Sequence, residues 1–205
     1  MTRMIGAIMG PPIARWSPRP SPPTALMPEA YGLGDGITLW RLPVGVVRIR
    51  EWHCALPPEL AEVDDMLRFP MMMADRRITG RLDCMVWLID HPEQRILVDA
   101  GKTAAFCTPN YLGDLPRDQA WTSPKVIDAT APESNDLPTM LAAAGVIPRD
   151  IDLCVLIHTN SDHIGNLGRL DRSTRLLVPP EELVPAGRGG RLMAKLPQDG
   201  RVHQT

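Results

Sequence analysis

An apolar run that ends on two imidazoles and a carboxylate constrains this chain more than any other feature. Ile151-Asp-Leu-Cys-Val-Leu-Ile157 is followed at once by His158-Thr-Asn-Ser-Asp162-His163-Ile-Gly-Asn166. The run reads as a buried strand, so its end delivers these side chains to one rim of a sheet. Imidazole and carboxylate together suit borderline metals: zinc first, with iron or manganese as further candidates. His158 falls at a strand end rather than in mid-core, and Asp162 and His163 stand beside it. Asp162 also has the chemistry of a helix N-cap, consistent with a short helix that opens at His163.

The flanking elements follow from pattern and punctuation. Cys84-Met-Val-Trp-Leu-Ile-Asp90 and Gln94-Arg-Ile-Leu-Val-Asp-Ala-Gly101 read as two strands joined by the turn His91-Pro-Glu-Gln94. Leu137-Pro-Thr-Met-Leu-Ala-Ala-Ala-Gly145 reads as an apolar helix with a glycine stop, and Val146-Ile-Pro-Arg-Asp-Ile-Asp152 leads into the motif strand. Leu176-Leu-Val-Pro179 is the next strand, and Glu181-Glu-Leu183 starts a helix. Nearer the N-terminus, Ile37–Leu42 and Val44–Arg50 alternate enough to be two strands with one exposed face. Glu51 to Arg77 is irregular, with Pro57-Pro58, Pro70 and Met71-Met-Met73; such a methionine cluster packs under a loop or forms an adaptable apolar wall. Trp52 and Trp121 carry the same two readings.

Over roughly residues 36–185 this order of elements resembles the metallo-β-lactamase superfamily. His158 to His163 is similar to the family's His-x-His-x-Asp-His signature, with Asn160 where the family has its second His. Asp99-Ala-Gly101 resembles its Asp-x-Gly element. The resemblance implies an α/β fold, the αβ/βα sandwich, of which this chain would supply the N-terminal half and the start of the second. It implies one or two divalent metals held through His158, Asp162 and His163, with Asp99 orienting a ligand His by accepting its second N–H. A neutral amide is a poor zinc ligand, so Asn160 should weaken the first metal position most. The family's further ligands follow in a second half; on this alignment the chain is C-terminally truncated, and His203 is a strand residue. The implied activity is hydrolysis of a lactone or ester by a metal-activated water, with Asp162 orienting the nucleophile. The acyl-homoserine-lactonase branch looks most similar. The alternative is a degenerate or truncated, non-catalytic member that binds at most metal or a partner.

Composition narrows the partners. A chain of 205 residues suffices for one sizeable core. A net charge of −2 and a pI near 6.2 give no electrostatic basis for nucleic acid or anionic membrane. The apolar runs fall far short of the ~20 residues that span a bilayer. Cys54, Cys84, Cys107 and Cys154 are scattered with no Cys-x-x-Cys pair, which favours buried free thiols, and the N-terminal residues make a poor secretory leader, which favours a cytoplasmic setting. Residues 1–30 read as a disordered tail, because residues 1–28 hold seven prolines. Residues 31–205 read as the folded domain. The expected partners are a small ester or lactone and, through an apolar sheet face short of cover, a second copy of the chain.

Overall fold

The computed structural model describes residues 27–54, 57–58, 71, 74–107, 127–159, 161–183, 196–197 and 199–204. These fall into two compact units. Asn160, Met72, Met73 and Trp121, all named above, lie outside the described residues.

The smaller unit comprises the described residues of 46–82 and 127–130. Its ladder is antiparallel: the last part of strand β2 (Ile37–Ile49) pairs with β5 (Ile127–Thr130), Val46 facing Thr130. Helix α1 (Glu51–Cys54) follows, so the segment expected to be irregular opens with a helical turn. Arg50 is buried and its guanidinium donates to the main-chain carbonyl of Asp75. The Asp75 carboxylate accepts from the backbone N–H groups of Trp52 and Arg77, each at 3.0 Å. Burial pushes this carboxyl up, but the hydrogen bonds from Arg77 and Trp52 more than reverse that and hold it below its ordinary value.

The larger unit comprises residues 27–45, 83–107 and the described residues of 131–204. Strands β1 (Glu29–Gly34), β2, β3 (Leu82–His91), β4 (Gln94–Val98), β6 (Leu153–Val155), β7 (Arg175–Val178) and β8 (Val202–Gln204) lie side by side in that order. The first pairings are antiparallel where a hairpin suffices: β1 with β2, and β3 with β4 across the expected turn, where His91 faces Gln94. From β4 onward every pairing is parallel. Parallel neighbours need a crossover, and helix α2 (Leu137–Ala143) lies on the connection from β5 to β6. The Asp136 side chain caps its N-terminus by accepting from the N–H of Thr139 at 3.0 Å, and Pro138 fits the first turn. Gly145, at φ +75°, provides the left-handed stop that the sequence announced. Leu137 and Leu141 are buried to 0% exposure along with Leu88, Leu97 and Leu176 of the sheet and Leu156 just beyond β6.

Three boundaries differ from the sequence reading. Glu29 and Ala30, read as part of the tail, belong to β1 because their backbones pair with Arg41 and Trp40. Ile37–Leu42 and Val44–Arg50 are not two strands; Ile37–Ile49 is one strand that runs through Pro43. Proline's fixed φ lies within the extended region, and the Pro43 carbonyl still accepts, from the buried Asn135 side chain at 3.0 Å. The motif helix, α3 (Ser161–Ile164), opens two residues earlier than expected and contains Asp162. Cys84 and Cys154 are buried free thiols, as their place in apolar strands predicts. Among the described residues no helix is long and apolar enough to cross a membrane.

Candidate metal centre

Three parallel strands release their chains at one edge of the sheet, and the candidate site stands there. Asp99 follows β4, His158 lies three residues beyond β6, and Glu182 follows β7 within α4 (Pro180–Leu183). The carboxyl ends of parallel strands are where open α/β sheets place their ligands, because only there do successive loops converge.

The Asp99 corner is made largely by backbone. Asp99 has φ +63°, a left-handed conformation that Asp tolerates better than most residues. Its N–H donates to the Val155 carbonyl at 2.8 Å, and its Oδ1 accepts from the Ile157 N–H at 3.0 Å. Ala100 N–H donates to the His163 carbonyl at 2.7 Å, and Gly101 bridges Ile164. Gly101 has no substitute: at φ +65°, a Cβ would lie 2.3 Å from Val44 Cγ2 and 2.7 Å from Val86 Cγ2. The buried Asn166 side chain closes the loop by donating to the carbonyls of Ala100 (3.0 Å) and Lys102 (2.8 Å). Gly165-Asn166 is thus a close-passing turn. Lys102 is itself almost wholly buried.

Within this frame His163 Nδ1 is 2.8 Å from Asp99 Oδ2. That hydrogen bond raises the pKa of the imidazole against burial, which lowers it. The Asp162 carboxylate lies 3.6 Å from His163 Nε2. The His158 and His163 rings meet edge-on, their centroids 5.5 Å apart. His158 Nδ1 is 2.7 Å from Glu182 Oε1, while Glu182 Oε2 accepts from the Thr159 N–H (3.0 Å) and hydroxyl (2.7 Å). The Thr159 hydroxyl, opposed by burial and aided by His158, holds the Glu182 carboxyl below its ordinary value. Behind the motif, burial drives the Cys84 thiol up to about 11, with Lys102 pulling it down and Asp162 pushing it further up.

The structure therefore gathers His158, Asp162, His163 and Asp99, and adds Glu182, which sequence reasoning had taken only for the start of a helix. Its signal was faint: a carboxylate one short turn after the strand that follows the motif. His203 lies within β8 opposite Leu177, as expected. Among the described residues no three His, Cys, Asp or Glu side chains converge on one point. The chemistry of the donors nonetheless fits a borderline metal. Each imidazole has its Nδ1 engaged by a carboxylate, which leaves Nε2 as the free nitrogen, and a further carboxylate stands beside them.

No protein-family model matches the chain. It is 39% identical over 71 residues to the rat (Rattus norvegicus) metallo-beta-lactamase domain-containing protein 1, covering 34% of this chain and 28% of that one. The human (Homo sapiens) protein of that name is 40% identical over 72 residues, or 35% of this chain and 27% of the other. The matches thus span under a third of the length of these relatives. Among solved structures, an N-acyl homoserine lactone hydrolase with its product at the catalytic metal centre superposes with a TM-score of 0.59 at 18% identity, covering 82% of this chain and 58% of the other. A probable metal-dependent hydrolase from Staphylococcus aureus gives 0.52 at 16%, covering 85% and 60%. A dizinc quorum-quenching lactonase gives 0.51 at 14%, covering 87% and 61%. The fold is thus the one these metallo-hydrolases share, and a stretch of about 71 residues is similar in sequence to metallo-beta-lactamase domain-containing protein 1.

Proposed function

We propose that the chain is part of a metal-dependent hydrolase that opens a small lactone or ester, N-acyl-homoserine lactones being the first substrates to try. The observation that carries this reading is the pair of imidazoles whose Nδ1 atoms are both tied to carboxylates, with Asp162 between them in sequence. The fold supports it, being shared with lactone hydrolases. His158, Asp162 and His163 would hold the ion. When bound, a divalent metal supplies a Lewis acid and brings the pKa of water from ~15.7 toward ~7.

The chain's own residues do the rest. Asp99 fixes the His163 ring and, through the Ile157 N–H, the backbone that leads to His158. Asp162, partly exposed beside His163, would accept a hydrogen bond from the attacking water and so aim its lone pair at the carbonyl. A partner of nucleic acid or membrane is no part of this reading. A second reading, a non-catalytic member that retains at most metal or partner binding, draws on one feature: Asn160 puts a neutral amide at a ligand-His position.

Elemental analysis of the folded, exhaustively exchanged protein decides between them when joined to a lactone and ester screen with and without chelator. One equivalent or more of zinc, iron or manganese with chelator-sensitive turnover is the expected result. Bound metal without turnover favours the second reading, and folded, metal-free, inactive protein sinks the first.

A further inference from the structure

We propose that Glu182 is the positioning residue for His158, fixing the proton on Nδ1 so that Nε2 is the nitrogen presented at the site. The proposal rests on the reading of that site as a metal centre. Its geometry is a division of labour between two oxygens. Oε2 takes the Thr159 N–H at 3.0 Å and the Thr159 hydroxyl at 2.7 Å, and Oε1 faces His158 Nδ1 at 2.7 Å. A glutamate carboxyl is ionised near neutral pH and an ionised carboxylate only accepts, so the imidazole nitrogen opposite Oε1 carries the hydrogen. A neutral His158 then has its lone pair on Nε2. A glutamate that merely tied down the loop would need only the Thr159 bonds; here its second oxygen is committed to the ring.

Asp99 repeats the pattern from the other side. One of its oxygens takes the Ile157 N–H and the other faces His163 Nδ1. The two carboxylates thus grip main-chain donors on either side of His158, and each holds one ring. They come from β4 and β7, the strands that flank β6 in the parallel ladder. A carboxylate bound to the non-ligating nitrogen fixes ring orientation and raises basicity, and its loss typically costs about 10–100-fold in metal affinity.

The test reads the ring directly. In metal-free protein at mildly alkaline pH, two-bond 15N–1H correlation spectra report the tautomer of His158, with its signals assigned by the variant His158→Gln. The wild type should show a hydrogen on Nδ1. Glu182→Ala should lose that fixed tautomer and weaken binding of zinc alone by about 10–100-fold. Glu182→Gln, which keeps the length but only one acceptor oxygen, should fall between, and it serves should the alanine variant fail to fold. Glu181→Ala, at the exposed neighbouring position, should match the wild type in both readouts. An unchanged His158 tautomer in both Glu182 variants, or unchanged zinc affinity despite a changed tautomer, overturns the proposal. A wild type that takes up no zinc overturns the metal reading instead, and the tautomer comparison then still decides whether Glu182 positions His158.

Discussion

The two imidazoles of the site are held by the same chemistry, but one ring is more open than the other and their carboxylates come from different kinds of element. His163 and Asp99 sit deeper: their side chains are 24% and 7% exposed, and backbone bonds at Ala100 and Gly101 and the Asn166 side chain surround them. The His158 ring is the more open one, at 41%, and its partner Glu182, at 22%, belongs to a helix of four residues rather than to a strand end. The first corner is an extension of the core, so damage there spreads into the fold. The second is a side-chain clamp on a finished surface, so damage there stays with the ring it holds.

Gly101→Ala should break this contrast most severely. Its Cβ has no room beside Val44 and Val86, and the left-handed backbone adds its own penalty. Overpacking and the conformational term together predict a loss of roughly 2–5 kcal/mol in chemical denaturation. A loss under 1 kcal/mol would show that the corner yields easily. Asn166→Ala comes next: two buried carbonyls lose their donor, for about 1–3 kcal/mol by the same measurement. Asp99→Ala should be destabilising and also release His163, so stability and zinc binding fall together. In Glu182→Ala they should separate, with stability within about 1 kcal/mol of wild type while zinc affinity drops, since a partly exposed pair contributes little to folding.

Thiol labelling supplies the finest reading. Cys154 and Cys84 are buried and their thiols are held in the protonated form, so both should resist alkylation in the native wild type, peptide by peptide in mass spectrometry. Asp99→Ala should speed labelling of Cys154, which lies in β6 next to β4, while Glu182→Ala leaves it protected. Equal protection in both variants would erase the distinction between inner and outer corners.

How much of this was legible depended on how far the signal had to travel along the chain. The β3–β4 hairpin announced itself through alternation and a four-residue turn, and α2 through its apolar face and Gly145. Those cues are local. Asp99 was legible because the Asp-x-Gly pattern is itself local, though its partner His163 lies 64 residues away. Glu182 carried no comparable pattern; only the parallel pairing of β7 with β6 brings it to His158, across 24 residues. Pro43 misled because a missing N–H ordinarily marks a strand end, whereas here the strand continues and the carbonyl finds Asn135. Ser161–Ile164 spans barely one helical turn, too short for any periodicity to mark where it opens.

The parallel ladder of β4, β6 and β7 has a consequence for engineering. Its backbone bonds set the spacing of the strand exits and are indifferent to the residues that come after each strand. The segment Pro180–Leu183 is therefore an interchangeable tool holder: exchanging it changes what grips His158 while the sheet keeps its register. The segment after Val98 offers no such freedom, because Gly101 is locked between Val44 and Val86. Retuning what the His158 ring presents should begin at the first of these exits and leave the second untouched.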